Sequence, residues 1–129
     1  MRLSQRKPTV GELEILQVLW EFGPRSVREI QRILNDAKPT GYTTVLKLLQ
    51  IMTEKGLVNR DEKKRPQIYR AHYAREHTQR QLLHDLVQRA FGGSVKGLVL
   101  QALAGRKSSE QELEEMERLL DRMEEGGIK

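Results

Sequence analysis

Residues 40–56 read TGYTTVLKLLQIMTEKG, and this stretch decides the fold. Its apolar residues recur at steps of three and four, which places them on one face of a helix: Val45, Leu48, Leu49 and Met52. Thr40 is predicted to cap the start of this helix, because its hydroxyl is able to accept a hydrogen bond from a free backbone N–H. Gly56 follows the last periodic residue, where a left-handed residue ends many helices.

The opposite face of the same helix carries short polar side chains and one cation: Thr43, Thr44, Lys47 and Gln50. Surface helices usually carry long charged side chains on their outer side, whereas the first acidic residue here is Glu54. Short polar groups approach the edge of a base closely. We therefore predict that this helix enters a groove of DNA.

Two capping boxes precede this helix. Thr9 and Glu12 lie three residues apart ahead of one apolar run, and Ser26 and Glu29 lie ahead of another. The first run, which stops at Gly23-Pro24, is predicted to turn these residues inward: Leu13, Ile15, Leu16, Val18, Leu19, Trp20 and Phe22. The second is predicted to turn inward Val27, Ile30, Ile33 and Leu34. Two such helices and a third after a turn form a helix-turn-helix.

After Gly56 the pattern changes to two short stretches that favour β-strands, residues 57–59 and 67–71. The charged run 60–66 joins them, so we predict a β-hairpin with Pro66 at its tip or at the entrance of the second strand. A helix-turn-helix followed by such a hairpin is a winged helix. The predicted wing tip carries three cations suited to contacts with phosphates: Lys63, Lys64 and Arg65.

From Ala74 onward the sequence predicts three further helices, separated by Gly92-Gly93 and by Gly105. Their predicted caps are Ser94 and either Ser108 or Ser109. Each helix carries an apolar stripe, and exposed stripes of this extent are unusual in monomers. We predict that the stripes are buried across a two-fold axis in a homodimer, the alternative being that they pack back on the winged helix.

The predicted fold class is therefore mostly α. A winged-helix DNA-binding domain is expected at residues 9–73, followed by a helical dimerisation domain at residues 74–125. The candidate dimer contacts are Leu82, Leu86, Phe91, Val95, Leu98, Val99, Leu113, Met116, Leu120 and Met123.

Length and composition exclude several classes of protein. The 129 residues fit one domain, or a small domain with an appendage. The absence of cysteine excludes a disulfide framework, a thiolate metal site and a thiol nucleophile. No apolar run is long enough for a membrane span, and the basic N-terminus MRLSQRKPT lacks the apolar region of a secretory signal. We expect a cytoplasmic protein.

Positive charge is concentrated in the first part of the chain. Residues 1–75 carry 15 Lys and Arg against 8 Asp and Glu, a net charge of +7, whereas residues 76–129 have a net charge of −2. This asymmetry favours a polyanion-binding module attached to a second module. A solvated surface with a chance distribution of charge has the same signature.

Candidate phosphate contacts lie at the starts of the predicted helices and on the wing. Arg25 and Arg28 flank the start of the second helix, and their cations are expected to release counterions from DNA. Free N–H groups at Ser26 and from Thr40 to Tyr42 are expected to add to them. Two interpretations of Tyr42 stay open, since its ring either packs under the helix or contacts a phosphate.

Candidate base contacts lie along the third helix. Thr43 and Thr44 are suited to a thymine methyl group or to a polar base edge, with Lys47 beside them in the groove. Thr44 has a second interpretation, in which its hydroxyl bonds the backbone of its own helix. Gln50 lies one turn further on.

The sequence offers little for catalysis. His72, His77 and His84 are the only histidines, and none has the HExxH spacing of a zinc hydrolase. His77 and His84 lie seven residues apart, but Glu76 and Asp85 beside them do not converge on a common site. There is no phosphate-binding loop, no GxSxG motif and no dinucleotide-binding glycine pattern. We therefore predict no enzyme activity, no metal and no cofactor.

Three segments resemble a known family: VGELEILQVLWEFGPRSVREIQRIL, YTTVLKLLQIMTEKGLVNRD and QIYRA. They are similar to the penicillinase-repressor family of bacterial transcriptional regulators, and the resemblance covers roughly residues 9–123. It implies a homodimer whose N-terminal winged helices bind a palindromic operator and whose C-terminal helices hold the dimer together. The operator-reading positions of the family fall on Thr43, Thr44 and Lys47.

Ile51 departs from the family pattern, in which many members carry a basic residue at this place. The nearby base contact then comes from Gln50 or Lys55, or it is lost. The apolar residue also favours an alternative function, a winged helix that binds a protein partner instead of an operator.

The resemblance also bears on how a repressor is released. The copper-sensing branch of the family binds metal through a cysteine-rich tail, which this chain lacks. The β-lactam branch is inactivated by proteolysis at an Asn-Phe bond in its fifth helix, and the matching pair here is Gln101-Ala102. The resemblance therefore implies a membrane metallopeptidase sensor as a candidate partner.

Overall fold

The fold is mostly helical with one small antiparallel sheet, which confirms the predicted fold class. The computed structural model describes residues 7–105 and 109–125. In these ranges the helices are α1 (Val10–Phe22), α2 (Val27–Ala37), α3 (Tyr42–Lys55), α4 (Arg75–Ala90), α5 (Val95–Ala104) and α6 (Glu110–Glu125). The strands are β1 (Arg25–Ser26), β2 (Val58–Asp61) and β3 (Ile68–Ala71).

Both predicted capping boxes are confirmed. The Thr9 hydroxyl accepts a hydrogen bond from the Glu12 N–H at 3.3 Å, and the Glu12 carboxylate accepts one from the Thr9 N–H at 2.9 Å. Ser26 and Glu29 form the same reciprocal pair at the start of α2. Each box satisfies backbone donors that a helix start leaves unpaired, so the sequence defines where both helices begin.

The two ends of α3 differ in how well the sequence predicts them. The helix ends as predicted at Gly56, whose φ of 80° lies in the left-handed region. The start differs from the prediction, because the cap position is occupied by Gly41, which has no side chain to accept a capping bond. The prediction that Thr40 caps α3 is therefore wrong. Its hydroxyl donates instead to the Lys38 carbonyl at 2.9 Å, a local bond that competes with capping.

The sheet has three strands in the order β1-β3-β2, all antiparallel. The predicted hairpin supplies β2 and β3, and Pro66 lies in the turn before β3. Arg60 and Asp61, predicted to lie in the loop, extend β2 instead. Strand β1 was not predicted, since two residues between α1 and α2 are too short to show an alternating pattern.

The core forms where α1, α2, α3 and the sheet bring their apolar faces together. Its most deeply buried apolar side chains are Ile15, Leu16, Ile30, Val45, Leu49, Met52, Val58 and Tyr69. Trp20 lies at the edge of this core, and its ring N–H donates to the Tyr73 carbonyl at 3.0 Å. The prediction that Phe22 also faces inward is wrong, because this last residue of α1 is exposed.

The chain divides into two compact units, the first ending at Gln79 and the second beginning at Arg80. This division falls within α4. The predicted domains, residues 9–73 and 74–125, stay a prediction about which parts fold independently.

In the second unit, Ser94 precedes α5 and Ser109 precedes α6. Each hydroxyl accepts a hydrogen bond from the backbone N–H three residues later, at 2.9 and 3.1 Å. The alternative cap, Ser108, lies outside the described residues. Helices α5 and α6 are joined by an ion pair in which Lys96 Nζ lies 2.9 Å from Asp121 Oδ1. Across residues 7–105 and 109–125, we find no helix with the length and apolar character needed to cross a membrane.

Candidate nucleic-acid interface

The outer face of α3 presents the polar side chains that the sequence predicts to read DNA. Exposed on this face are Thr43, Thr44, Lys47 and Gln50. The opposite face is fixed by fully buried Val45, Leu49 and Met52. With 14 residues, α3 is about 21 Å long. A helix with its side chains is about 10–12 Å in diameter, which fits a major groove about 12 Å wide.

Tyr42, the first residue of α3, packs against α2. The guanidinium carbon of Arg28 lies 5.4 Å from the centre of the Tyr42 ring, within the range of a cation–π interaction. The tyrosine is nevertheless 43% exposed, so its contact with a phosphate stays a prediction.

An open cleft of about 640 Å³ lies between α2, α3 and the strand β3. Arg28 and Tyr42 line it together with Arg32, which the sequence analysis did not single out. Arg32 follows Arg28 by four residues, so the two guanidinium groups project from the same side of α2. This spacing was the signal that could have added Arg32 to the candidate phosphate contacts.

Ser26 and Thr40 are less available to a phosphate than the sequence suggests. Ser26 is 4% exposed, and both its N–H and its hydroxyl are bonded to Glu29. The Thr40 N–H donates to Oδ1 of Asn35 at 2.9 Å. The prediction of free N–H groups at these two positions is wrong, because side chains nearby in sequence already accept from both.

A carboxylate also lies at the start of α2. The hydrogen bond from the Ser26 N–H is the main cause that lowers the pKa of Glu29 below its ordinary value of 4.5. Desolvation opposes this effect, whereas the Ser26 hydroxyl and the charges of Arg25 and Arg32 reinforce it. Arg25 itself is half-buried in β1 and donates to the Pro24 carbonyl at 2.9 Å. The ionised Glu29 therefore offsets part of the positive charge in this region.

Lys55 is held away from the predicted base contact. Its Nζ lies 2.7 Å from Oε1 of Glu12 and 3.4 Å from the Lys7 carbonyl oxygen. Because a buried carboxylate requires a partner, this lysine is committed to the start of α1. Of the two side chains proposed to replace the family's basic residue at Ile51, Gln50 is the exposed one.

The wing tip presents its cations to solvent, since Lys63, Lys64 and Arg65 are all exposed between β2 and β3. The Arg65 guanidinium donates to the backbone carbonyls of Glu62 and Lys64, which holds it against the tip. Arg60 pairs with the Glu62 carboxylate, and this hydrogen bond is the main cause that raises the pKa of Arg60. The two lysines are therefore the more direct candidates for phosphate contacts.

The rings of His72 and His77 both contact the ring of Tyr73, and that of His72 meets it edge-on at 4.5 Å between ring centres. Nδ1 of His72 lies 3.0 Å from the side-chain nitrogen of Asn59, and the His77 ring stacks on Tyr73 with ring centres 4.6 Å apart. His84 is exposed on α4. In the part of the chain that the structure describes, no three His, Asp or Glu side chains are gathered closely enough to hold a metal ion.

A family model described as the penicillinase repressor matches residues 8–122, nearly the whole chain. The chain belongs to the penicillinase repressor family. A search of curated proteins found no match. Membership of the penicillinase repressor family confirms the resemblance carried by the three sequence segments. It implies a DNA-binding transcriptional repressor. The members of this family are regulators and not enzymes.

The residues that we predict to hold a penicillinase repressor dimer together lie in the second unit. Some are exposed: Leu86, Val95, Met116 and Met123. The others are half-buried: Leu82, Phe91, Leu98, Val99, Leu113 and Leu120. Leu119 is also exposed, and it was not among the predicted contacts although it follows Met116 by three residues and so fits the period of three and four that begins at Leu113.

The pair that we predict to match the cleavage site of the β-lactam branch lies near the end of α5. Both Gln101 and Ala102 are exposed. A protease requires an extended backbone, so cleavage at this pair depends on local opening of the helix.

Proposed function

We propose that this member of the penicillinase repressor family represses transcription by binding a palindromic operator as a homodimer. The observation that carries the proposal is the two-sided character of α3. Val45, Leu49 and Met52 fix one face in the core, while Thr44 and Lys47 stand exposed on the other. A helix held in this way enters the major groove as a rigid element, without the cost of ordering it on binding.

In the groove, the polar side chains predicted to read DNA are suited to several kinds of base edge. Lys47 is suited to the O6 and N7 acceptors of guanine, and Thr43 and Thr44 to polar edges or to a thymine methyl group. Gln50 is suited to adenine, which presents one donor and one acceptor. Lys55 contributes nothing here, since its ammonium group is bound to a carboxylate of α1.

Phosphate contacts position the protein on the duplex without reading its sequence. Arg28, Arg32 and Tyr42 at the cleft contact one stretch of backbone, and Lys63 and Lys64 of the wing contact another. Each neutralised phosphate releases counterions, so affinity falls steeply as salt is added. The net charge of +7 on residues 1–75 supports this step.

The dimer doubles the interface. Its two-fold axis places one winged helix on each half of the operator, with half-sites one or two helical turns apart. The exposed apolar side chains of α4, α5 and α6 support this assembly, because a monomer would leave them in water.

Release from DNA follows from loss of the dimer. We infer that proteolysis near Gln101 and Ala102 separates α6 from the rest of the chain and removes part of the apolar surface that the dimer buries. A membrane metallopeptidase is the proposed protease. The exposure of both side chains supports access to this part of α5.

Operator binding is tested by fluorescence anisotropy with the full chain and duplexes tiled across the region upstream of its own gene, at about 0.1 M salt. One duplex is expected to bind far more tightly than the rest, and Lys47→Ala is expected to reduce that preference. Arg89→Ala is the control, because Arg89 is paired with Asp85 on α4. Equal, weak binding to all duplexes would support the second candidate, a protein-binding winged helix, in which the exposed Ile51 would contact the partner.

A further inference from the structure

Ile51 is an aliphatic residue on the otherwise polar outer face of α3. It follows Lys47 by four residues and Thr44 by seven, so the three side chains share one side of the helix. The isoleucine is 37% exposed, and it belongs neither to the buried core cluster nor to the apolar residues packed against that cluster.

The core does not explain why an isoleucine stands here. Val45, Leu49 and Met52 already anchor α3, and a lysine or glutamine would suit both the solvent and the helix better than isoleucine does. An apolar group on a reading face is suited to an apolar partner. Among the base edges of the major groove, the apolar feature is the C5-methyl group of thymine.

A protein partner is the weaker explanation. Surfaces that bind proteins through apolar contacts present contiguous apolar patches. Of the residues one turn from Ile51 on α3, Lys47 and Glu54 are polar and exposed. Leu48 is half-buried against the core, and Lys55 is paired with Glu12, so neither extends an exposed apolar patch. A contact the size of one methyl group fits this isolated side chain better than a protein interface does.

We propose that Ile51 contacts the C5-methyl group of a thymine in each half-site and thereby selects a T·A base pair. The proposal rests on the proposed operator binding and adds the base that this position selects. Four residues advance about 6 Å along a helix, and successive base pairs are about 3.4 Å apart. The selected thymine therefore lies one or two base pairs from the pair that Lys47 contacts, for which guanine is preferred.

The first experiment selects binding sites from a library of randomised duplexes, with full-length protein. Wild type and Ile51→Ala are selected in parallel, and Val10→Ala is the control for losing an exposed β-branched side chain elsewhere. Wild type and Val10→Ala are expected to enrich a thymine that Ile51→Ala leaves unconstrained. If wild type enriches no sequence, operator binding itself fails. If Ile51→Ala enriches the same sequence as wild type, only the role of Ile51 fails.

The second experiment removes the methyl group from the DNA. Each thymine of the selected duplex is replaced in turn by uracil, which keeps the hydrogen-bonding groups of the base edge. One buried methyl group contributes about 0.8 kcal/mol, so wild type is expected to lose about four-fold in affinity at one thymine of each half-site. Ile51→Ala is expected to be insensitive at that thymine, because its contact is already gone.

A third variant separates the contact from any effect on folding. Ile51→Val keeps a β-branched apolar side chain, so it is expected to enrich the same thymine and to show a smaller loss with uracil than wild type does. An equal uracil effect in wild type and Ile51→Ala overturns the proposal. So does a wild-type protein that is insensitive to every thymine within two base pairs of the pair that responds to Lys47→Ala.

Discussion

The ammonium group of Lys55 lies 2.7 Å from Oε1 of Glu12 and joins the last turn of α3 to the first turn of α1. The same carboxylate oxygen accepts a hydrogen bond from the Thr9 N–H. Glu12 is almost fully buried, and its partner Lys55 is half-buried. The Glu12 carboxylate therefore completes a capping box and also holds the C-terminal end of α3 against α1.

Lys55→Met is expected to lower the free energy of unfolding by about 2–3 kcal/mol, because it leaves the Glu12 carboxylate buried without its cation. Chemical denaturation measures the change. Lys38→Met is the matched control, since Lys38 pairs with Glu14 at 3.2 Å on the surface, where such pairs contribute about 0–1 kcal/mol. Equal losses in the two variants would show that the burial of Glu12 does not set the strength of its ion pair.

Ser26 and Thr40, which the sequence predicts to cap α2 and α3, should respond differently to truncation. Ser26→Ala is expected to cost about 1 kcal/mol, because it removes the bond that caps α2. Thr40→Ala is expected to cost less than about 0.5 kcal/mol, the usual limit for surface positions without a capping role. Denaturation curves compared under one condition decide between them. A larger loss for Thr40→Ala would restore Thr40 as the cap of α3.

The parts of the fold that the sequence predicts correctly depend on residues close together in the chain. Val45, Leu49 and Met52 follow a helical period, and the capping boxes at Thr9 and Ser26 each close over three residues. The prediction for Thr40 was wrong because this residue has other local partners. Its hydroxyl donates to the Lys38 carbonyl, and its N–H donates to the Asn35 side chain. The local sequence pattern does not show which of these competing hydrogen bonds forms.

The candidate site shows the same division between local and distant information. The period of α3 was enough to place Thr44 and Lys47 on its outer face. It was not enough to exclude Lys55, whose partner Glu12 is 43 residues earlier in the chain. The cleft beside Arg32 likewise forms only when α2, α3 and β3 come together.

Glu29 should make stability depend on pH. Its pKa is lowered in the folded state, chiefly by the Ser26 N–H, so ionised Glu29 stabilises the fold above the ordinary pKa of 4.5. This contribution is lost as the pH falls through the lowered folded-state pKa. The difference in unfolding free energy between wild type and Glu29→Gln is therefore expected to be largest near neutral pH and to shrink below pH 4.5. Urea denaturation from pH 7 down to about pH 3 tests this. A constant difference over that range would mean that the carboxylate charge contributes nothing to capping.

The cations of the wing and the cation of α3 should affect DNA binding in different ways. Lys64→Ala is expected to weaken binding to all sequences and to reduce the slope of log affinity against log salt by about 0.9 for each subunit. Lys47→Ala is expected to cost about 1–3 kcal/mol on the preferred duplex and much less on others, because its contact is to a base. Anisotropy titrations between about 50 and 200 mM salt measure both effects. If Lys64→Ala leaves the salt slope unchanged, the wing tip does not contact phosphates.

The proposed dimer makes a prediction about α4. Leu86 is 47% exposed in the single chain, and Leu86→Glu would place a carboxylate in the interface, where an unpaired charge is strongly disfavoured. We expect sedimentation equilibrium to show the variant as a monomer at concentrations where wild type is a dimer. Its operator affinity should also fall, since each monomer contacts only one half-site.

Val10→Glu is the control for this substitution, because Val10 is 79% exposed at the start of α1 and lies outside the proposed interface. It should remain dimeric and bind the operator as wild type does. A Leu86→Glu variant that stays dimeric would move the interface away from this face of α4. A wild-type chain that is monomeric at micromolar concentrations would contradict the homodimer, and its exposed apolar side chains would then require another partner.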